Sequence, residues 1–505
     1  MKRRICAAAL CSLLYLSAGM PAAGNDGISP ESPAEDGTLP ALSAIAGHGM
    51  MNSPAYGFLE ELSDDIGARV SGSPQAARAV EWGLTKMRAI GLENVHAEGW
   101  TMWRGWTRIS AGAEMLAPAH RRLTVDSMGW TGSTPAGGVE AEIVAVNYLA
   151  LEKEMQENAS HWAGKLLLVV RGAGGSGGRG GFVEFPQFLK AAAAAHAAGI
   201  IGGQGGRKSA GMNLTHTGIL GFSASTDLPV VSITAEDQEL LERLLERGKT
   251  VRVKLNVQNR FSDGPVQSAN AVGEIRGTKH PEQIVVVGGH LDSWDLADGA
   301  TDNGTGSVCT LAAAAAILSV GVKPERTIRF ILFTGEEQGL LGSFAYVKQH
   351  KDEMANHLAA LVEDSGQGPV ASFDLGGHAD LIPAFEKFAG ALRSFGEIRT
   401  NDDAEFGTDN GPFIVAGLPG INMAQDSPEY RYTHHSGVDT FDKVKPEILA
   451  RNATLMGLTA FWIASRPERL AAPWPVERTA RMLVEKKQDA LLKSIGEWPF
   501  GDLGN

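Results

Sequence analysis

The sequence predicts an α/β fold with a mostly parallel central sheet and helices on both faces, interrupted by an inserted, smaller α/β domain. The apolar, β-branched runs at residues 284–287 and 327–333 have the length of buried parallel strands. Between them, the alanine-rich residues 306–318 have the apolar content of a helix that packs tightly behind a sheet. Strands that alternate with helices in this way favour an α/β arrangement.

Length, composition and charge indicate a globular protein of two or three domains. The chain has 505 residues, more than one ordinary core accommodates. Hydrophobic residues make up 43% of it, which is typical of a soluble globular protein. The formal net charge of −13 argues against nucleic acid or an anionic membrane surface as a partner.

Residues 1–24 have the three regions of a secretory signal peptide. Basic residues at 2–4 precede an apolar run over 5–20 and small residues at 22–24. The apolar run is shorter than the ~20 residues that a membrane span needs. We therefore expect an exported protein, periplasmic or secreted, without an integral membrane span after the signal is cleaved.

The segment that follows is expected to lead into the catalytic domain. Residues 25–41 contain three prolines among serine and acidic residues and are typical of a flexible lead-in. Residues 42–135 are assigned to the N-terminal part of the catalytic domain. Apolar residues recur at helical spacing over 42–62 and 75–90, and Gly91 is expected to cap the second helix.

Residues 136–262 read as a self-contained α/β unit. We interpret this unit as an insertion, because strands suited to a central sheet resume only at residue 284. The predicted elements are strands at 142–146, 165–170, 199–202 and 228–234, and helices at 188–198 and 236–247.

Residues 263–470 are assigned to the rest of the catalytic domain and 471–505 to a helical tail. Further strands are predicted at 358–363 and 421–424, with a long closing helix at 445–465. A short strand at 381–384 would be confined to a sheet edge by its proline.

Polar side chains with metal-binding chemistry follow several of these strands. In open α/β sheets, chemistry takes place outside the carboxyl ends of the strands. Imidazole and carboxylate groups at such positions suit a hydrolytic metal site. The candidate residues are His290, Asp292, Asp302, Glu336, Glu337 and Asp364, with a further imidazole from His434 or His435.

A co-catalytic metal pair needs a bridging carboxylate, further ligands on each ion, and a carboxylate base that is not a ligand. In this sequence His290 would bind one ion, Asp302 would bridge and Glu337 would bind the other ion. Each of these residues alone is more often a surface or structural group, so the prediction depends on their joint spacing.

The pattern resembles peptidase family M28, whose members are di-zinc exopeptidases. The resemblance covers residues 42–465 and rests on the sequence His290-x-Asp292, on Asp302 twelve residues after the histidine, and on Glu336-Glu337. Within the family, the chain most resembles the carboxypeptidase Q (plasma glutamate carboxypeptidase) group, because of residues 289–295 and 434–436.

The resemblance implies two zinc ions per chain and a role for each residue. Glu336 matches the general base, and the carboxylate of Asp292 matches the group that orients the ring of His290. His435 is favoured as the late histidine because Asp439 lies four residues after it, but His434 stays possible. The implied ligands are His290, Asp302 and Asp364 for one ion, and Asp302, Glu337 and His435 for the other.

The resemblance also implies that residues 136–262 are a protease-associated domain and that the substrates are dipeptides or short peptides. A homodimer is a further implication. Arg431, Tyr432 and the Thr408-Asp409 turn are candidates for binding a substrate terminus. Two other functions stay open: an aminopeptidase acting on the N-termini of longer peptides, and a single-zinc acyltransferase similar to glutaminyl cyclase.

Overall fold

The computed structural model describes residues 38–170, 180–202, 209–221, 225–404, 406–501 and 503. The predicted signal peptide and all but the last few residues of the lead-in lie outside these ranges. No helix within the described ranges is both long and apolar enough to cross a lipid bilayer.

The described residues form two eight-stranded sheets with helices packed against them. The strands are β1 Glu93–Met102, β2 Trp106–Ala117, β3 Arg121–Leu123, β4 Val125–Ser127, β5 Val139–Val146, β6 Leu166–Val169, β7 Gly199–Ile201, β8 Val230–Ile233, β9 Arg252–Phe261, β10 Val266–Ile275, β11 His280–His290, β12 Arg326–Phe333, β13 His357–Val362, β14 Val370–Asp374, β15 Arg399–Asn401 and β16 Gly420–Gln425. The helices are α1 Thr38–Asn52, α2 Ala55–Glu60, α3 Pro74–Ile90, α4 Leu151–Glu157, α5 Gly180–Ala194, α6 Ala235–Glu246, α7 Thr305–Ser319, α8 Leu341–Gln349, α9 Ile382–Ala391, α10 Gly411–Val415, α11 Tyr430–Thr433, α12 Pro446–Ala464, α13 Val476–Glu485 and α14 Asp489–Ser494.

The first sheet has the strand order β1-β10-β12-β11-β13-β16-β14-β15. Its centre is parallel from β12 through β11 and β13 to β16, whereas β10 pairs antiparallel with both β1 and β12. At the other end, β14 pairs antiparallel with β16 and parallel with β15. The α/β class is therefore confirmed. The parallel centre brings the carboxyl ends of β11, β12 and β13 to one edge.

Helices cover both faces of this sheet because successive side chains of a strand point to opposite sides. On β11, Val285 and Val287 belong to the apolar core that includes α7 and α12. The alternate residue Val286 packs with Tyr346 of α8 and Phe413 of α10. Burial on both faces explains why this strand reads as a continuous apolar run.

The second sheet has the order β3-β2-β9-β5-β6-β7-β8-β4, with its parallel part in β5, β6, β7 and β8. It begins earlier than the predicted boundary at residue 136, because β2 pairs with β9 from Trp106 to Ala117. Residues 106–127 thus belong to this sheet. Antiparallel partners far apart in the chain leave no boundary signal in the local sequence.

Three element predictions differ from the structure, and prolines are involved in each. The predicted edge strand at 381–384 is wrong: Pro383 opens α9, where its missing N–H removes no helical hydrogen bond. The helix predicted over 42–62 is interrupted, with Pro54 directly before α2. The helix predicted to start at 188 begins at Gly180 and contains Pro186 in its interior.

Gly306 allows α7 to start directly behind the sheet edge where the carboxyl ends of β11, β12 and β13 meet. A Cβ atom on Gly306 would lie 2.1 Å from the carbonyl oxygen of Glu363, next to Asp364. We therefore expect Gly306→Ala to lower the free energy of unfolding by about 1–3 kcal/mol, the usual cost of overpacking a core.

Denaturant unfolding of the variant would measure this effect. The matched control is Gly47→Ala in α1, where an added Cβ has no neighbour within 4 Å. We expect that variant to be more stable by roughly 0.5–1 kcal/mol, since alanine is the better helix former. Equal stability changes in the two variants would contradict the close packing described for Gly306.

Candidate metal centre

His290, the last residue of β11, is fully buried with its ring directed at carboxylates. Its Nδ1 lies 2.9 Å from the main-chain oxygen of Asp292. Because a carbonyl oxygen only accepts hydrogen bonds, Nδ1 carries a proton, so Nε2 is the atom whose lone pair a neutral ring would offer to a cation. Nε2 is 3.4 Å from Oδ1 of Asp302 and 3.4 Å from Oδ1 of Asp364.

Asp302 lies between two imidazoles, in the turn Ala300–Gly304 that precedes α7. Its Oδ1 faces His290, and its Oδ2 is 3.4 Å from Nε2 of His435. Asp439 holds this turn by accepting hydrogen bonds from the main-chain N–H groups of Thr301 (2.6 Å) and Asp302 (3.2 Å). One carboxylate is thus oriented so that it could bridge two cations.

Glu336 and Glu337 follow β12, and their side chains diverge. Oε2 of Glu337 lies 2.9 Å from Nε2 of His435. Oε2 of Glu336 lies 3.8 Å from Nε2 of His290. Two adjacent carboxylates therefore meet different imidazoles of the cluster.

The late histidine pair follows the short helix α11. The rings of His434 and His435 are stacked, with centroids 3.7 Å apart. Both rings lie close enough to Asp302 to form one group that could hold a metal ion. His435 has a close contact to Glu337 as well as to Asp302. This contact favours His435, while His434 stays a possible ligand.

Asp292 connects three parts of the site. Its Oδ2 accepts a hydrogen bond from Ser71 Oγ at 3.0 Å, and its Oδ1 accepts one from the main-chain N–H of Glu336 at 3.3 Å. The carboxylate was expected to accept from the His290 ring, but its Oδ1 is 3.6 Å from Nδ1. The acceptor in the structure is the main-chain oxygen of the same residue.

The cluster has the unsatisfied atoms that a cation site requires. A buried polar atom without a hydrogen bond is costly, and metal coordination removes that cost. The nitrogen and oxygen donors suit zinc. Within the described part of the chain, four buried atoms of the cluster lack a hydrogen-bond partner: His290 Nε2, Asp302 Oδ2, Glu337 Oε1 and Asp364 Oδ1.

Burial of several carboxylates close together shifts the pKa values of the carboxyl groups in the cluster. Burial raises the pKa of Glu336 well above its usual value, against the opposing charge of His290. Burial and the charge of Asp302 raise the pKa of Glu337 in the same direction. For Asp302 burial acts the same way, but its contacts with His290 and His435 outweigh it and lower the pKa. A bound cation would favour the ionised form of these carboxyl groups.

Arg69 supports the loop after His290 and was missed in the sequence. Its fully buried guanidinium donates to the main-chain oxygens of Leu291 at 2.7 Å, Asp298 at 2.6 Å and Gly299 at 2.9 Å. These bonds hold both ends of the loop that leads to the Ala300–Gly304 turn. A single arginine far upstream carries no local signal for such a role.

The candidates for substrate binding lie in different surroundings. Arg431 is exposed and stacks over the ring of Tyr432, 4.5 Å from its centroid. Asp409 is fully buried, and burial raises its pKa to about 7. Tyr430 was not predicted, yet burial and the charges of Asp302 and Asp364 raise the pKa of its hydroxyl well above the usual value. Its phenol therefore stays protonated.

The chain matches known proteins over most of its length. The model of the family described as Peptidase family M28 matches residues 270–460. Carboxypeptidase Q from Rattus norvegicus is 30% identical over 444 residues, which cover 85% of this chain and 89% of that protein. The protein of the same name from Mus musculus is 29% identical over 432 residues, covering 85% and 90%.

Solved structures agree with this result. A peptidase M28 precursor from Shewanella amazonensis is 30% identical, with a TM-score of 0.77 over 86% of this chain and 98% of that one. A zinc aminopeptidase from Bacillus subtilis is 22% identical, with a TM-score of 0.63 over 85% and 98%, and shows a similar fold. The chain therefore belongs to peptidase family M28, a family of metal-dependent exopeptidases.

Proposed function

We propose that this protein is a zinc-dependent exopeptidase that hydrolyses the peptide bonds of dipeptides and short peptides. The observation that carries the proposal is the convergence of two imidazoles and three carboxylates, with unsatisfied buried atoms, beside the separate carboxylate of Glu336. This is the donor set of a two-metal hydrolytic site with its own base.

Two zinc ions per chain are proposed, with Asp302 shared between them. His290 and Asp364 complete the first set, in agreement with one group of residues able to hold an ion. Glu337 and His435 complete the second set, since both meet around the Oδ2 side of Asp302. Metal analysis of the purified protein should give two zinc ions per chain.

Glu336 is proposed as the general base. When bound, the zinc pair would lower the pKa of a water molecule and polarise the scissile carbonyl. The carboxylate of Glu336 would accept the proton of that water and then donate it to the leaving amine. Asp292 would keep Glu336 in place through the main-chain N–H of that residue and would orient His290 through its own main-chain oxygen.

Dipeptides and short peptides are favoured as substrates by the similarity to proteins named carboxypeptidase Q. The alternative is an aminopeptidase that acts on longer peptides. The name aminopeptidase is carried by several similar proteins. One of them, leucine aminopeptidase 2 from Trichophyton equinum, is 28% identical over 292 residues.

Product analysis on three substrate types would separate these activities. We expect free dipeptides to be cleaved to amino acids at least about tenfold more efficiently than aminoacyl amides, since the free carboxylate would be recognised. N-blocked dipeptides test the opposite end: their hydrolysis indicates a carboxypeptidase. Preference for aminoacyl amides and for the N-termini of longer peptides would contradict the dipeptide proposal.

A single-zinc acyltransferase similar to glutaminyl cyclase is the other alternative. It would be favoured by one zinc ion per chain together with cyclisation of N-terminal glutamine. The second donor set around Glu337 and His435 argues for the two-metal peptidase instead.

The remaining predictions concern organisation and location. We propose that residues 136–262, together with the strands at 106–127 that pair with them, form a protease-associated domain beside the catalytic domain.

Export through the predicted signal at residues 1–24 would be tested by N-terminal sequencing of the mature protein. A homodimer is expected and would be tested by sedimentation.

A further inference from the structure

A loop of the second sheet is bound to the late histidine pair of the catalytic domain. We call residues 215–218 the clamp loop. His216 forms an isolated antiparallel bridge with Ser436. The main-chain N–H of Thr217 donates to the main-chain oxygen of His435 at 2.9 Å. The histidine pair is therefore held by hydrogen bonds from outside the catalytic sheet.

His216 adds a side-chain bond whose direction is fixed by its partners. It is only 2% exposed, and its Nδ1 lies 2.7 Å from the main-chain oxygen of His434. Since that oxygen only accepts, Nδ1 is the donor. The other ring nitrogen, Nε2, lies 2.7 Å from Ser209 Oγ, whose hydroxyl can donate to it. Both ring nitrogens are thus engaged in hydrogen bonds.

The clamp loop also packs against the ring of His435. A Cβ atom on Gly218 would lie 3.3 Å from Nδ1 of His435, a tight contact that would press on the ring. The φ of Gly218, +146°, is also one that residues with side chains rarely adopt. On another side, the ring of Trp294 lies 5.9 Å from that of His435. The imidazole is therefore confined between the two domains.

Arg108 on β2 anchors the clamp loop to the catalytic loop after His290. It donates to Thr217 Oγ1 at 2.9 Å and to both carboxylate oxygens of Asp295 at 3.0 and 2.9 Å. Paired hydrogen bonds between arginine and a carboxylate fix geometry as well as distance. Arg108 therefore fixes the position of the clamp loop relative to the loop that follows His290.

His435 needs such support because its backbone is in a costly conformation. Its φ is +59°, in the left-handed region, which is unfavourable for a residue other than glycine. Without external hydrogen bonds the backbone would relax, and Nε2 would move away from Asp302 and Glu337.

We infer that His216 and Thr217 are positioning residues for the metal ligand His435, so that the second domain sets the affinity of one of the two metal ions. This inference rests on the proposed two-zinc function. Residues that orient a ligand from outside the coordination sphere typically change metal affinity by about 10–100-fold. We expect the ion held by His290 and Asp364 to depend less on the clamp loop, because these two ligands follow the strands β11 and β13 of the first sheet.

The test is a zinc titration of metal-free protein against a chromophoric chelator. His216→Leu keeps apolar volume but removes the donor to His434, and we expect one ion to bind at least about tenfold more weakly while the other is unchanged. His216→Asn places an amide N–H where Nδ1 was and should restore most of the affinity. The control variant Ser133→Ala removes hydrogen bonds between Ser133 and Asn259 inside the second sheet. We expect this variant to bind both ions with unchanged affinity.

A folded His216→Leu variant that binds both ions like the wild type, or loses both equally, would overturn the inference. Failure of the wild type to bind two ions would instead count against the proposed function. If the leucine variant does not fold, hydrogen exchange of the wild type decides: zinc should slow exchange in residues 215–218, because coupling between sites is reciprocal. Zinc-dependent protection of residues 433–437 without protection of the clamp loop would also overturn it.

Discussion

Glu336→Gln is expected to abolish turnover while both metal ions stay bound. Glutamine has nearly the same shape but cannot accept the proton of the attacking water. General acid and base catalysis contributes about 10²–10⁴-fold to the rate, so kcat should fall by roughly 10³-fold. Steady-state kinetics and metal analysis of the same preparation would measure the two effects together.

The matched control for this prediction is the neighbouring residue. Glu337→Gln should also lose activity, but by weakening the ion that Glu337 and His435 share. Excess zinc should restore part of the activity of Glu337→Gln and none of that of Glu336→Gln. A Glu336→Gln enzyme with turnover within about tenfold of the wild type would remove Glu336 from the role of base.

Asp302→Asn is expected to weaken the binding of both metal ions at once. An amide has one oxygen donor and no charge, so it cannot take the place of a carboxylate that faces His290 on one side and His435 on the other. Because loss of a supporting group alone costs about 10–100-fold in affinity, loss of the bridge should cost about 100-fold or more for each ion.

Zinc content after gel filtration in metal-buffered solution would measure this loss. Asp298→Asn is the control, since Asp298 lies on the same loop but outside the groups of residues able to hold an ion. We expect that variant to keep the wild-type zinc content. Two tightly bound ions in Asp302→Asn would show that the carboxylate is not the bridge.

The central part of the candidate site could be predicted because its residues are local to strand ends. An apolar run of strand length fixes where β11 leaves the sheet, and His290 is its last residue. The same reasoning applies to Glu336 and Glu337 after β12 and to Asp364 after β13. Parallel pairing of these strands then brings their ends together without further information.

The late histidine was harder to assign, since two adjacent imidazoles have the same chemistry. The choice depends on which ring reaches both Asp302 and Glu337, and that depends on the backbone conformation of His435. Arg69 shows the same limit, because its partners are main-chain oxygens more than two hundred residues away.

By itself, the sequence determined the α/β class, the strand ends and the residue types that meet there, because burial pattern and turn position are local properties of the chain. Only the tertiary structure decided that residues 106–127 join the second sheet and that His216 and Thr217 hold His435. The physical reason is that these contacts join segments far apart in sequence, and each of their hydrogen bonds has a main-chain partner, which any residue type can supply.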